Sequence, residues 1–119
     1  MTVHSTLLLP SDVVLRGPNA KTVTIGLLAP VSGLMGVAGP SIINCAILAA
    51  EEASAGSDAA FELVLIDAGS DPRTVASEVD LLVSAGLVDA LVGTHTSNVR
   101  LAVEARLADR VPYLFTPPH

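Results

Sequence analysis

Phe61-Glu-Leu-Val-Leu-Ile-Asp-Ala-Gly-Ser-Asp-Pro72 is the stretch whose reading decides the architecture. Residues 61–66 form an apolar run of strand character that closes at Asp67. Asp71 followed by Pro72 marks a helix start: a carboxylate to accept the first free N–H groups, then a proline where the missing N–H costs nothing. Val75, Val79 and Leu82 supply the buried stripe of that helix, and Gly86 ends it. A strand running directly into a capped helix is the unit from which parallel sheets are wound.

The same unit recurs on both sides. Upstream, residues 22–28 are β-branched and apolar, followed by a loop over 29–39 that contains Pro30, Gly33, Gly36 and Gly39. Pro40 suits the first turn of a helix, Ile42, Ile43, Ala46, Ile47, Ala50 and Ala53 repeat at helical spacing, and Gly56 stops it. Downstream, residues 87–92 read as a third strand stopped by Gly93. Ser97 caps the next helix, with Val99, Ala102 and Val103 facing inward, and residues 111–115 form a fourth strand. Strand–helix alternation of this kind predicts an α/β fold: a three-layer parallel sheet with helices on both faces and right-handed crossovers. Residues 1–20 lack sustained periodicity and hold Pro10, Gly17, Pro18 and Asn19, so they are expected to form an arm or a peripheral strand. The organisation expected is an arm over 1–21 and one α/β unit over 22–119.

The 119 residues are 50% hydrophobic but only 3% aromatic, so the core has to be built from Val, Leu, Ile and Ala. Net charge is -6 with no basic run, which argues against a nucleic-acid surface. No apolar stretch approaches the ~20 residues that span a bilayer, so membrane insertion is not expected. Residues 1–10 lack the cationic start and long apolar segment of an export signal, which points to the cytoplasm. Cys45 is the single cysteine. It falls in the apolar helix and is expected to be a buried, inert thiol.

In open α/β sheets ligands bind beyond the carboxyl ends of the strands. That rule selects the loops at 29–39, 67–71, 94–97 and 116–119. Thr94-His95-Thr96-Ser97 sets three hydroxyls and an imidazole before a helix amino terminus, where free N–H groups attract carboxylates and other anions. The plainer reading has Ser97 as a cap and the threonines as turn residues, and both stand at this point. Gly33, Gly36 and Gly39 invite a nucleotide reading, with Asp67 as the ribose-binding acid. The spacing departs from Gly-x-Gly-x-x-Gly, and no Lys-Ser or Lys-Thr pair follows, so loop flexibility explains these glycines better. His4, His95 and His119 have no metal-ligand spacing, no catalytic triad can be assembled, and no cofactor is expected.

Five stretches carry a family resemblance: Ile25-Gly-Leu-Leu-Ala-Pro-Val-Ser-Gly33, Leu48-Ala-Ala-Glu-Glu-Ala53, Asp67-Ala-Gly-Ser-Asp-Pro72, Val88-Asp-Ala-Leu-Val-Gly-Thr-His-Thr-Ser97 and Val111-Pro-Tyr-Leu-Phe-Thr-Pro-Pro118. In this order they resemble the amino-terminal lobe of type I periplasmic binding proteins, in the branch that takes branched-chain amino acids and amides. The resemblance covers residues 22–119, and the stretch from Val92 to Arg100 is similar to a cytoplasmic amide sensor. It implies a non-enzymatic, two-lobed receptor that closes on an amino acid or amide. Residues 22–119 correspond to part of one lobe, so the opposing surface of the cleft is expected from elsewhere.

Ligand contacts implied by the resemblance come from Ser32 and Gly33 after the first of these strands. Others come from His95, Thr96 and Ser97, with Ser97 matching a family hydroxyl and His95 standing where the amide sensor has an aromatic. Phe115, Thr116 and Pro117 follow the last strand, with Thr116 displaced by one place from the expected hydroxyl. A transporter permease or a regulatory protein is the implied partner, and an exposed sheet edge would favour self-association. Two other classes compete: a nucleotide-binding enzyme domain, and a dimerisation module of a regulator.

Overall fold

A computed structural model describes residues 7–18, 21–33 and 36–116. Its centre is β2 (Thr22–Ala29), which pairs in parallel with β3 (Ala60–Asp67) along its whole length, from Thr22↔Ala60 to Ala29↔Asp67. On its other side β2 pairs with β4 (Ala90–Thr94), and β4 pairs with β5 (Tyr113–Thr116). The two-residue β1 (Leu7–Leu8) lies outside β3, giving the order β1-β3-β2-β4-β5, all parallel. Gly26 leaves room above β2 for side chains of both neighbouring strands: a Cβ there would stand 2.7 Å from Leu91 Cδ2 and 3.4 Å from Ile66 Cδ1.

Helices cover both faces. Helices α1 (Pro10–Arg16), α3 (Pro72–Ser84) and α4 (Ser97–Leu107) share one core with Leu28, Val64, Ile66 and Leu91. On the opposite face α2 (Gly39–Ala55) packs Ile42, Ile43, Ala46, Ile47 and Ala50 on Leu27, Ala29, Leu63 and Phe61. The three-layer parallel sheet read from the sequence is the observed architecture.

Local chemistry accounts for the best-defined helix. The Asp71 carboxylate accepts the N–H groups of Arg73 and Thr74 at 3.1 and 3.3 Å. Val75, Ala76, Val79 and Leu82 are buried on one face. At the far end Gly86 turns left-handed (φ +70°). Its N–H bonds Val83 O at 3.1 Å, and the Leu87 N–H bonds Leu82 O at 3.0 Å. This pair of bonds satisfies two last-turn carbonyls and drives Leu87 inward, a glycine-terminated helix end. Asp80 ties α3 to α4 by accepting from Arg106, and to the turn after α4 by accepting from Arg110; these hydrogen bonds hold its carboxyl down at about 2.

Several expectations are corrected. Residues 10–16 form α1, a helix the sequence reading does not draw; Pro10 opens it, Asp12 accepts the Leu9 N–H at 3.0 Å, and Val13 is fully buried. The third strand of the repeat starts at Ala90 rather than 87. Leu87 belongs to the helix end, and Asp89 is locked to Thr24 by a carboxylate bond of 2.8 Å and a backbone bond of 2.7 Å. That strand also runs through Gly93 to Thr94 instead of stopping. The next strand begins at Tyr113, after Pro112 has given its carbonyl to the Leu91 N–H. Cys45 is exposed. It lies beside the α2 stripe and borders an apolar groove between that helix and the sheet, with Ile42 and Ala46 on one side and Leu27 and Val92 on the other.

Candidate functional site

The chain leaves β2 through α2 to reach β3 on one side, then crosses by α3 to β4 on the other. This reversal makes the carboxyl ends of β2 and β4 the switch point, where an open α/β sheet leaves a crevice. A hollow of 230 Å³ lies there, bounded by Pro30, Ser32, Gly69, Ser70, Thr96 and Asn98. A larger hollow of 710 Å³ sits at the opposite end of the sheet, beside Glu104, Leu107 and Arg110. Size does not make it the better site. Its guanidinium, on Arg110, is already bonded to Asp80, Ser84 and the Leu107 and Arg106 carbonyls.

Asp67 organises one wall of the crevice. Its carboxylate accepts the Val31 N–H at 3.0 Å, the Ser32 hydroxyl at 2.6 Å, the Gly69 N–H at 2.9 Å and the Ser70 hydroxyl at 3.4 Å. Burial pushes this carboxyl up, but the bonds from Ser32, Val31 and Gly69 outweigh it and hold the group below its ordinary value. The nearby Glu78 is raised by its own burial and then by the Asp67 charge. The two loops touch backbone to backbone: a Cβ on Gly69 would fall 2.0 Å from Ser32 O. Gly33, at φ +72°, lies against Gly69 O. So the acid at the end of β3 fixes the loop after β2 and leaves Ser32 exposed.

The glycines of that loop serve close packing. A Cβ on Gly39 would reach 2.3 Å from Pro30 O, and one on Gly36 would reach 3.3 Å from the Val31 carbonyl. The described parts of the loop fold back on its own entry and leave no cradle open to phosphate.

The other wall is the start of α4. Its N-cap is Thr96, with an extended backbone and no side-chain cap bond, so Ser97 is the first helical residue rather than the cap. Thr96, Ser97 and Asn98 are exposed, and the first-turn N–H groups carry no capping side chain. His95, read from the sequence as a ligand contact, is only 1% exposed. Its Nδ1 lies 3.0 Å from Thr96 O and its Nε2 2.6 Å from the Tyr113 hydroxyl. Phe115 packs against the same ring at 4.7 Å between centroids, and the Arg100 guanidinium lies 5.4 Å over Phe115. Burial lowers the His95 pKa, the Thr96 carbonyl opposes this, and the Arg100 charge adds to the lowering. Tyr113 is raised by burial and by Glu104.

The structure therefore brings Ser32, Gly33, Thr96 and Ser97 to the switch point, where Ser32, His95 and Thr96 line the hollow, with His95 almost wholly buried and Phe115 packed against its ring. Thr116 ends β5 opposite Thr94 in the register; Pro117 lies outside the described residues. Among those residues no three His, Cys, Asp or Glu side chains come together as a metal site. Sequence reasoning singled out Asp67 only as a nucleotide-binding acid and did not place it as the clamp of the loop after β2, and it passed over Tyr113. Asp67 carried a signal, an acid at a strand end two residues before a glycine. Tyr113 carried another, since it and Phe115 are two of only three aromatic side chains in the chain and alternate along one strand.

Comparison with known proteins matches this arrangement. A family model described as periplasmic binding protein matches residues 22–118. No curated protein matches the chain. Among solved structures, the chain is similar to the branched-chain amino acid transporter substrate binding protein LivJ from Streptococcus pneumoniae, which was solved in complex with isoleucine. The two share 29% identity and superpose with a TM-score of 0.72 over 83% of this chain, which spans 30% of the length of that protein. With a matched family model over most of its length and the parallel sheet of a type I lobe, the chain belongs to the periplasmic binding protein family.

Proposed function

We propose that this chain binds a small polar solute, an amino acid or amide, at the carboxyl end of its sheet and catalyses no reaction on it. The observation that carries the reading is the start of α4. Its N–H groups lack a capping side chain, the Thr96 and Ser97 hydroxyls are exposed beside them, and Ser32 is held opposite by Asp67. A carboxylate or amide oxygen set there accepts from the helix N-terminus, where the peptide dipoles also favour negative charge. Neutral hydroxyls suit a solute whose net charge is small. The isoleucine bound by the S. pneumoniae protein supports an aliphatic amino acid as the first ligand to try.

Within this reading residues 22–119 supply one wall of a cleft and the opposing wall comes from the rest of a two-lobed receptor. The receptor serves either a transporter permease or a regulatory partner. The family is described as periplasmic, and cell fractionation of the native protein tests that location. Among the described residues no helix is long and apolar enough to cross a membrane.

Thermal unfolding against isoleucine, leucine, acetamide and ATP tests the solute class. A ligand at ~100 times its dissociation constant adds about 2.7 kcal/mol, a clear rise in Tm. Isoleucine, leucine or acetamide is expected to give that rise, and Ser97→Ala to weaken the affinity by roughly fivefold to tenfold, the worth of one hydrogen bond. A rise with ATP alone overturns the reading.

A further inference from the structure

We propose that Tyr113 and His95 are positioning residues for the solute-binding start of α4, the phenol setting the imidazole and the imidazole setting the Thr96 carbonyl. The inference rests on the reading of that loop as the solute site.

Hydrogen-bond chemistry fixes the direction of the relay. A carbonyl oxygen only accepts, so the His95 Nδ1 facing Thr96 O at 3.0 Å must carry the proton. In a neutral ring Nε2 is then a lone pair, and the Tyr113 hydroxyl 2.6 Å away must donate to it. The opposite tautomer would set a lone pair against the carbonyl oxygen. Burial and the Arg100 charge keep the ring neutral, and burial keeps the phenol protonated. Each donor in the chain thus has one orientation available.

The consequence reaches the solute site through a single peptide unit. Thr96 O accepts two bonds, from His95 Nδ1 and from the Arg100 N–H at 3.2 Å. The Thr96 carbonyl and the Ser97 N–H belong to one planar group. Holding the oxygen from two directions therefore aims the first free N–H of α4. Rigid support of this kind is what keeps a binding group within the narrow tolerance that recognition needs.

The ring is confined on its remaining sides. Phe115 lies against it, and Gly93 leaves space that a Cβ would take, 2.7 Å from ring atoms Cδ2 and Nε2. Tyr113 sits on β5 and His95 just past β4, so the sheet itself sets their separation. His95 lines the floor of the crevice beside Thr96, but at 1% exposure it offers almost no surface there, and its hold on the site runs through the Thr96 carbonyl.

Tyr113→Phe removes the donor and keeps the ring, and it is read first without ligand. In the wild-type chain the His95 imidazole nitrogen shifts are expected to report protonated Nδ1 and bare Nε2, with the Arg100 amide protected from exchange. In Tyr113→Phe the Nε2 resonance moves and the Arg100 amide exchanges several-fold faster. Val79→Ala, which weakens the same core away from the ring, leaves the imidazole shifts in place. Wild-type shifts and wild-type Arg100 exchange in Tyr113→Phe overturn the relay. Isoleucine titration then reads its bearing on the site: a roughly fivefold to tenfold weaker affinity is expected, and an unchanged one overturns the positioning role. A wild-type chain that binds neither isoleucine nor acetamide overturns the solute reading instead, while the shifts and exchange still decide the relay.

Discussion

Gly69→Ala is expected to lower the unfolding free energy by about 2–3 kcal/mol, the upper range for forcing extra volume into a packed position. The new Cβ would lie 2.0 Å from Ser32 O and 2.7 Å from its carbonyl carbon, and both are backbone atoms with no rotamer to escape into. Relief requires the loop after β2 to move away from the loop after β3 by an ångström or more. That motion breaks the bonds from Val31 and Ser32 to Asp67, leaving a carboxylate short of donors. Solute affinity should fall with stability, because Ser32 is carried by the same loop. Gly56→Ala is the control. Its Cβ would meet nothing closer than 3.6 Å, at an ordinary φ of -93°, so a change within ~0.5 kcal/mol is expected. Urea unfolding of both variants reads the contrast, and a Gly69→Ala midpoint equal to that of wild type would refute the clamp.

Ile66→Ala should cost more, about 3–4 kcal/mol, within the range for emptying a fully buried aliphatic site. Ile66 has no exposed surface and sits in the middle of the core between the sheet and the α1, α3 and α4 layer. Its Cδ1 also fills the space beside Gly26 that no side chain occupies. Rigid strands on either side restrict collapse into the cavity. For a domain of this size the loss corresponds to a fall in Tm of about 12–16 °C. Calorimetry checks it, and a fall under ~4 °C would show that the core repacks freely.

What was legible in the sequence was local. Asp71 and Pro72 announced α3 because capping chemistry acts within three residues, and the caps are where they were read. The strand interiors were legible because parallel strands covered on both faces are continuously apolar. The switch-point rule was usable from the sequence, since it needs only strand ends and topology, and the loops it selects do lie at the carboxyl ends of the strands. What stayed hidden depends on distant partners. Asp67 binds Val31 and Ser32 more than thirty residues back, and Asp89 sets the start of β4 by pairing with Thr24, sixty-five residues away. Helix α1 has only Val13 as a fully buried anchor, and one residue makes no period. The cap of α4 slipped by one place because Thr96 and Ser97 are adjacent residues of equal capping chemistry. Cys45 was misjudged because the burial of a helix face depends on what lies next to it, which no local pattern records.

The two helical layers differ in depth. Over 17 residues α2 buries only Gly39 and Ala50, whereas α3 buries Val75, Ala76, Val79 and Leu82 over 13. Opening free energy follows buried apolar contact, so the two sides should behave as separate cooperative units, with α2 detaching in partial openings and α3 exchanging its amides only on global unfolding. A solute at the switch point would touch the loop that leads into α2 and the helix that belongs to the firmer side. It would bridge a soft unit to a hard one, and its arrival should be heard first as a quieting of exchange along α2, well away from any atom it contacts.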